Sequence, residues 1–279
     1  MRFQETLYPA WGQNFQQDQI LFEARTDHQH LVIFENARFG RVMALDGVIQ
    51  TTERDEFVYH EMMVHVPMLS HPKPESVLII GGGDGGILRE VLKHPSVQHV
   101  TQVEIDRSVV DMCVEYFPNH SQGAFDDPRL SLVIADGAVF MAENTQTFDV
   151  IITDSTDPIG PGEVLFESSF YAGCGRALTD QGVLVTQNGV PFMQGDEVTN
   201  TYRRWKNTFA TRRFYLTPVP TYAGGAMAMG FATKQASHLP TLDVLTERVA
   251  DLHDLRYYTP TAHLGAFGLP QYLLDLMID

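Results

Sequence analysis

Apolar residues in the first part of the chain fall into short runs that are separated by turn-forming residues. Residues 31–34, 41–45 and 48–50 are such runs. The pair Asp46-Gly47 lies between the last two, and Asp-Gly between apolar runs is a strong signal for a β-hairpin. The pattern therefore predicts a small N-terminal β-strand domain over residues 1–52.

A helical pattern follows over residues 53–75, where we predict a connecting helix and a linker. Thr52 is predicted to cap this helix, with Asp55 and Glu56 in its first turn. The proline-containing segment 71–74 is predicted to end it. The helix itself is predicted from an apolar stripe at helical spacing, formed by Val58, Met62, Val66 and Leu69.

From residue 76 to residue 279 the pattern alternates between buried strands and helices, which predicts a parallel, doubly wound α/β sheet. The predicted strands are residues 77–80, 100–103, 130–134, 150–152 and 183–186, and the predicted helices are residues 86–92, 107–116, 137–143 and 167–178. Beyond Gln194 we predict a helix to about Phe209, and then a final helix with an aromatic tail. Between these helices, residues 213–219 and 226–233 are predicted to form an antiparallel edge.

Charge narrows the range of possible partners. The 279-residue chain has 35 Asp and Glu against 19 Lys and Arg, a net charge of −16, which disfavours nucleic acid and anionic membrane surfaces. The acids either solubilise the surface or form a site that attracts a cationic substrate. We expect a cytoplasmic protein, since its two cysteines lie far apart and neither a signal-peptide pattern nor a bilayer-length apolar run is found. No cluster has the spacing of a metal site.

A glycine-rich loop over residues 81–86 follows the first strand of the α/β pattern and precedes a helix. It satisfies G-x-G-x-x-G, which is typical of nucleotide binding in this context and also of a tight turn. Glu104 ends the next strand, where a carboxylate can accept both ribose hydroxyls. Asp136-Gly137 follows the third strand and suits either contact with an adenine edge or a helix N-cap.

Asp84 lies within this loop and distinguishes two classes of cofactor. A dinucleotide would place its pyrophosphate here, where the carboxylate repels it. S-adenosylmethionine would place its amino-acid tail here, so that Asp84 attracts the amine and repels the carboxylate. An adenosyl sulfonium that has lost its carboxylate therefore fits the loop best.

The fourth strand runs into a second acidic segment, Asp154-Ser155-Thr156-Asp157, which we expect to face the first loop rather than to be only a capped turn. Paired acids in a cleft can bind an ammonium group, and one of them can accept a proton. An alkylamine with a pKa of about 10.4 needs such a base to attack a sulfonium donor at neutral pH. Acidic surroundings also favour the protonated amine, so the site must hold one end of a diamine as ammonium and orient the other end onto the base.

The chain resembles the spermidine synthases, the polyamine aminopropyltransferases, and is most similar to their bacterial forms. The resemblance covers nearly the whole chain in ordered motifs: residues 45–56, 81–86, 103–106, 154–162, 220–222 and 269–272. It implies a small N-terminal β-domain, a Rossmann-like domain of the class I methyltransferase type, and a homodimer or homotetramer. It also implies aminopropyl transfer from decarboxylated S-adenosylmethionine, a co-substrate rather than a tightly bound cofactor, to the diamine putrescine, giving spermidine and methylthioadenosine.

The resemblance also implies roles for individual residues. Asp154 is expected to accept the proton from the attacking amine. Asp84 and His60 are expected to contact the aminopropyl or polyamine chain. The adenosine part of the donor is expected to contact Gln29, Glu104, Asp136, Gly137 and Pro161. The other residues expected to bind the polyamine are Tyr59, Ser155, Thr156, Asp157, Gln187 and Tyr222.

Two other functions remain open from the sequence. A methyltransferase that uses intact S-adenosylmethionine would need the same adenosine site, although Asp84 argues against it. A non-catalytic polyamine-binding protein would need the acidic cleft but would have no use for Asp154 as a base. The acceptor is also open among putrescine, cadaverine, agmatine and spermidine.

Overall fold

The computed structural model describes residues 1–155 and 160–279. Its N-terminal part is built from two antiparallel sheets. One pairs β1 with β2, and the other has the order β3-β4-β5-β6. The bounds are β1 Arg2–Gln4, β2 Asn14–Gln16, β3 Gln19–Arg25, β4 His30–Asn36, β5 Gly40–Leu45 and β6 Val48–Thr52.

The predicted hairpin at Asp46-Gly47 is confirmed. Both residues have positive φ, 48° at Asp46 and 83° at Gly47, and they connect β5 to β6. Positive φ at both central residues is what a two-residue hairpin turn requires, because its twist then matches that of the strands. The hairpin places residues 45–51 at one wall of the cavity described below.

Helix α1, Glu56–Ser70, connects the two parts of the chain and differs from its prediction in two respects. Its N-cap is Asp55 rather than Thr52, because Thr52 belongs to β6 and its hydroxyl donates to the Asp55 carboxylate at 2.6 Å. The helix is also buried on nearly all sides rather than along one stripe. Its polar side chains are therefore enclosed and need partners inside the protein.

The second part of the chain folds around a seven-stranded sheet with the order β12-β13-β11-β10-β7-β8-β9. All neighbouring pairs are parallel except those that involve β13, so the predicted antiparallel edge is confirmed. The bounds are β7 Ser76–Gly81, β8 His99–Glu104, β9 Leu130–Ile134, β10 Phe148–Asp154, β11 Leu178–Gln187, β12 Thr211–Thr217 and β13 Met227–Thr233.

Helices cover both faces of this sheet. They are α2 Gly86–Leu92, α3 Arg107–Tyr116, α4 Pro118–Ser121, α5 Gly137–Glu143, α6 Ser168–Ala177, α7 Pro191–Arg204, α8 Leu242–Val249, α9 Pro260–Ala266 and α10 Gln271–Leu274. Helix α7 begins before Gln194, since Pro191 occupies the first turn, where the missing N–H costs nothing. It also ends before Phe209, and three short helices replace the single final helix that we predicted.

Alternate residues of the central strands supply the two cores. In β7, Val77 and Ile79 pack with α1 and α2, whereas Leu78 and Ile80 pack with α5 and α6. Burial on both faces explains why this strand is a continuous apolar run in the sequence. Within the described ranges, no helix is long and apolar enough to cross a membrane.

Candidate active site

The glycine-rich loop turns the chain from β7 into α2 beside the end of β10. Gly81 has φ +85°, and a Cβ there would overlap the backbone oxygen of Asp154. Gly81 is also the register partner of Asp154 across the parallel pair of strands. A glycine at this position is therefore required for the close approach, which brings the loop of Asp84 to the strand end of Asp154.

A cavity of about 350 Å³ lies at these strand ends and is closed on the other side by the N-terminal part of the chain. Its lining includes two tyrosines of the interior, Tyr59 and Tyr222, whose rings meet edge to face at 5.7 Å. The described lining residues include no lysine or arginine. They do include six carboxylates, which are Glu5, Asp46, Asp84, Glu104, Asp136 and Asp154.

Asp84 is held as a fixed anion. It is 8% exposed, its Oδ1 accepts the backbone N–H of Gly86 at 2.8 Å, and its Oδ2 lies 3.2 Å from Nε2 of His60. Burial alone would raise the pKa of Asp84, but the charge of His60 outweighs burial and holds it below its usual range.

His60 lies between two carboxylates. Its Nδ1 is 2.6 Å from Glu56 Oε2, and its Nε2 faces Asp84. Ionised carboxylates only accept hydrogen bonds, so both ring nitrogens must carry protons and the ring is an imidazolium. Burial would lower the pKa of His60, but Asp84 and Glu56 outweigh it and raise the pKa to about 10.

Asp154 has a different environment from Asp84. Among the described residues, it accepts one side-chain hydrogen bond, from the hydroxyl of Tyr59 at 2.5 Å. Burial and the nearby charge of Asp84 raise its pKa to about 6, although Tyr59 and His60 act in the opposite direction. A carboxyl group with this pKa can accept and release a proton near neutral pH. Ser155 follows it, with a buried Oγ that has no hydrogen-bond partner within the described ranges.

Four of the predicted adenosine-binding residues line the cavity: Gln29, Glu104, Asp136 and Gly137. Glu104 lies at the end of β8, and burial raises its pKa to about 7, although its Oε1 accepts the N–H of Asp106 at 2.9 Å. Asp136 lines the cavity and also caps α5 through the N–H groups of Ala138 and Val139, so the N-cap interpretation is confirmed and contact with an adenine edge stays a prediction. Gly162 also lines the cavity.

The described residues that are predicted to bind the polyamine line the same cavity. Tyr222 donates its hydroxyl to the carbonyl of Gln50 at 2.6 Å, which fixes its ring against the cavity. Gln187 accepts the N–H of Gly189 at 3.0 Å and also lines the cavity. Thr156 and Asp157 lie outside the described residues, as does the side chain of Pro161.

Sequence patterns missed the part of the wall that the N-terminal segment supplies. Glu5 is buried, and its Oε1 accepts the N–H of Ile49 at 3.1 Å. Tyr8 donates to Oε1 of Gln194 at 2.9 Å, across 186 positions of sequence. No local signal distinguishes these residues from ordinary surface residues. They could be identified only by their distant partners.

Two family models match the chain in succession. Residues 1–53 match the spermidine synthase tetramerisation domain, and residues 56–242 match the spermine/spermidine synthase domain. Among curated relatives, polyamine aminopropyltransferase 1 of Pseudomonas aeruginosa is 62% identical over 276 residues, which is 98% of this chain and 96% of the relative. The polyamine aminopropyltransferase of Shigella boydii is 53% identical over 278 residues, 99% of this chain and 96% of the relative.

Solved structures of spermidine synthases are also similar to this chain. A spermidine synthase in complex with the transition-state analogue AdoDATO has a TM-score of 0.91 and 38% identity, and the match covers 99% of this chain and 94% of that one. The spermidine synthase from Thermotoga maritima has a TM-score of 0.90 at the same identity and coverage. The predicted fold class is confirmed by these matches and by the strand order of the central sheet.

Proposed function

This chain belongs to the spermine/spermidine synthase family, and we propose that Asp154 is the general base of its reaction and that putrescine is its acceptor. The enzyme is an aminopropyltransferase that uses decarboxylated S-adenosylmethionine as a co-substrate and forms spermidine. The observation that carries the proposal is a cavity whose described wall has six carboxylates and no lysine or arginine, and in which the pKa of Asp154 is raised to about 6. Such a wall suits a cationic donor and a cationic acceptor.

The reaction needs one proton transfer in addition to the substitution at carbon. The neutral amine nitrogen attacks the propyl carbon that is bonded to the sulfonium sulfur. The carbon–sulfur bond breaks, its electron pair stays on sulfur, and methylthioadenosine leaves as a neutral thioether. The nitrogen passes its extra proton to Asp154. Because a free amine has a pKa of about 10.4, a base in contact with it removes much of the penalty for deprotonation at neutral pH.

Asp84 is proposed to bind the ammonium group of the donor's aminopropyl chain. Its carboxylate remains ionised, because His60 and the Gly86 N–H both stabilise the charge. The carboxylated donor would bring a second negative group against this anion, so the loop selects the decarboxylated donor partly by repulsion.

The adenosine end is proposed to contact Glu104, Asp136, Gly137, Gln29 and Pro161. The raised pKa of Glu104 fits a buried carboxyl group that accepts the N–H of Asp106 and would gain further hydrogen-bond donors from the ribose hydroxyls. The amine channel is proposed to contact Tyr59, His60, Ser155, Thr156, Asp157, Gln187 and Tyr222. The Ser155 hydroxyl is available for this purpose, since it has no partner within the described ranges.

The acceptor can be tested directly with purified enzyme, decarboxylated S-adenosylmethionine and a panel of amines, with products identified by mass. We expect putrescine to give spermidine and methylthioadenosine at a higher kcat/KM than cadaverine, agmatine or spermidine. A higher kcat/KM for another amine would replace putrescine as the acceptor. In parallel, intact S-adenosylmethionine should transfer neither a methyl nor an alkyl group, and methylated products would favour the methyltransferase alternative.

We also propose that identical chains form a tetramer, on the basis of the match of residues 1–53 to a tetramerisation domain. The proposed location of the protein is the cytoplasm. Light scattering during size-exclusion chromatography should give four times the 31.3 kDa of one chain. A mass of twice this value would indicate a dimer. Fractionation of cells that produce the native protein would test its location.

A further inference from the structure

Glu56 lies behind His60, outside the lining of the cavity, and is held there by helix α2. Arg89 donates Nη2 to Glu56 Oε2 at 2.9 Å and Nη1 to Glu56 Oε1 at 3.4 Å. Arg89 is fixed in turn by Oε1 of Glu90 at 2.7 Å and by the carbonyl of His120 at 2.7 Å. Burial would raise the pKa of Glu56, but His60 and Arg89 lower it to about 2, so Glu56 stays ionised near neutral pH.

We propose that Glu56 is a positioning residue for aminopropyl transfer: it holds His60 as a permanent imidazolium, whose charge offsets the acidic cleft and favours the deprotonated acceptor amine. This inference rests on the function proposed above. Glu56 and His60 are four residues apart on α1, so the helix sets their spacing and aims the second ring nitrogen at Asp84.

The positive charge of His60 reduces the effect of two opposing requirements in the acidic cleft. Carboxylates attract the diamine, but each of them also stabilises the protonated amine and so opposes nucleophilic attack. A fixed cation in the same wall lowers the pKa of the amine. It also lowers the proton affinity of Asp154 relative to an all-acidic wall. The imidazolium can do this at any working pH only if its own proton is secure, which the second carboxylate, Glu56, provides.

The charged and titratable groups that face His60 come from each element packed around it. Tyr59 and His120 are neutral neighbours near pH 7, because burial raises the pKa of the Tyr59 phenol and lowers the pKa of His120. The ionised neighbours are Glu56 on α1, Asp84 in the glycine-rich loop, Arg89 on α2 through Glu56, and Asp154 on β10.

The protonation state can be measured in the wild-type enzyme by nitrogen NMR of labelled histidine rings, with His60→Gln used to assign the signal among 11 histidines. We expect both ring nitrogens of His60 to be protonated from about pH 6 to about pH 9. In Glu56→Gln the ring should lose a proton within that range, since it keeps one anionic partner and gains an unpaired Arg89 nearby. A neutral His60 ring in the wild-type enzyme at pH 7 would overturn the proposal.

The kinetic consequence can be measured from the pH dependence of kcat/KM for the acceptor. In this profile kcat/KM rises with pH. Glu56→Gln and His60→Gln should each shift that rise to higher pH by about one pH unit, the size of shift that one nearby charge produces. The double variant should show the shift of one substitution, not the sum of two, because Glu56 acts through His60. Equal additive shifts would show that the two residues act independently and would overturn the positioning role.

Glu61→Gln is a matched control on the same helix. Glu61 is 1% exposed, and its carboxylate accepts the backbone N–H groups of Arg256, Tyr257 and Tyr258 rather than a histidine. Glu61→Gln should lower the free energy of unfolding but should not shift the pH at which kcat/KM rises. If Asp154→Asn leaves turnover intact, the proposed base is wrong, whereas the histidine spectra test the role of Glu56 separately.

Discussion

The glycine-rich loop and the end of β10 each place an aspartate carboxyl group in the same cavity, but the pKa of one is lowered and the pKa of the other is raised. Asp84 receives an imidazolium and a backbone N–H, and its pKa is depressed. Asp154 receives one phenol hydroxyl among the described residues and lies near the charge of Asp84, and its pKa is raised to about 6. Asp84 is buried and Asp154 is partly buried. Burial acts to raise the pKa of both, so it does not explain the difference. The partners do.

This difference separates two jobs that an acidic diamine site must perform. A carboxylate that binds an ammonium group should never lose its charge, whereas a general base must change its protonation state during each turnover. Pairs of titratable groups whose surroundings move their pKa values apart often mark such assignments. Here His60 of helix α1 lowers the pKa of Asp84, whereas burial and the charge of Asp84 raise the pKa of Asp154.

The largest effect is expected from removal of the base. Asp154→Asn should lower kcat by about 10³-fold, since an amide cannot accept the proton, while the donor still binds. Turnover under donor saturation and calorimetry with decarboxylated S-adenosylmethionine would measure the two quantities. A near-wild-type kcat would remove Asp154 from its proposed role.

A smaller effect is expected from Asp84→Asn. The variant should bind the decarboxylated donor about 10- to 100-fold more weakly, because a charge-assisted contact is lost. Its preference for the decarboxylated over the intact donor should also narrow, because the repelling charge is gone. Calorimetry with both donors measures this ratio. An unchanged ratio would mean that other groups enforce the choice.

The wild-type enzyme should itself distinguish the two aspartates by pH. The pKa of Asp154 is raised to about 6, so its base form is lost as the pH falls below that value. We expect kcat to fall about tenfold from pH 6 to pH 5 and to rise further towards about pH 8–9 as the amine loses its proton. Initial rates with both substrates saturating give the profile, and a flat profile over this range would argue that proton transfer does not limit turnover.

The smallest effect is expected from Tyr59→Phe. Loss of the hydroxyl removes the hydrogen bond that lowers the pKa of Asp154, so the pKa should rise further and the acidic limb of kcat should move upward. The shift should be about half a pH unit, which lowers kcat about threefold at pH 5 and only slightly at pH 7. Tyr222→Phe is a comparable tyrosine variant, because its hydroxyl bonds to the carbonyl of Gln50 instead of to Asp154. An equal shift of the acidic limb in Tyr222→Phe would show that the effect does not depend on the hydrogen bond from Tyr59 to Asp154.

Most of the central sheet could be predicted from the sequence because its strands are buried on both faces. A strand such as β7 is then a continuous apolar run, and its predicted residues 77–80 lie within the observed strand Ser76–Gly81. The cap at Thr52 could not be predicted reliably, because Thr52 and Asp55 are both good capping residues, and only the pairing of β6 decides between them.

The sequence by itself determined which side chains occupy the strand ends. A glycine-rich turn and an acidic residue after each parallel strand have local signatures, so Asp84, Glu104 and Asp154 could all be predicted before any contact was known. Only the tertiary structure decided which aspartate stays ionised and which one can take up a proton. A pKa depends on burial and on the nearest charges: for Asp84 the deciding charge is His60 of helix α1, and for Asp154 it is Asp84, which is distant in the sequence and close in space.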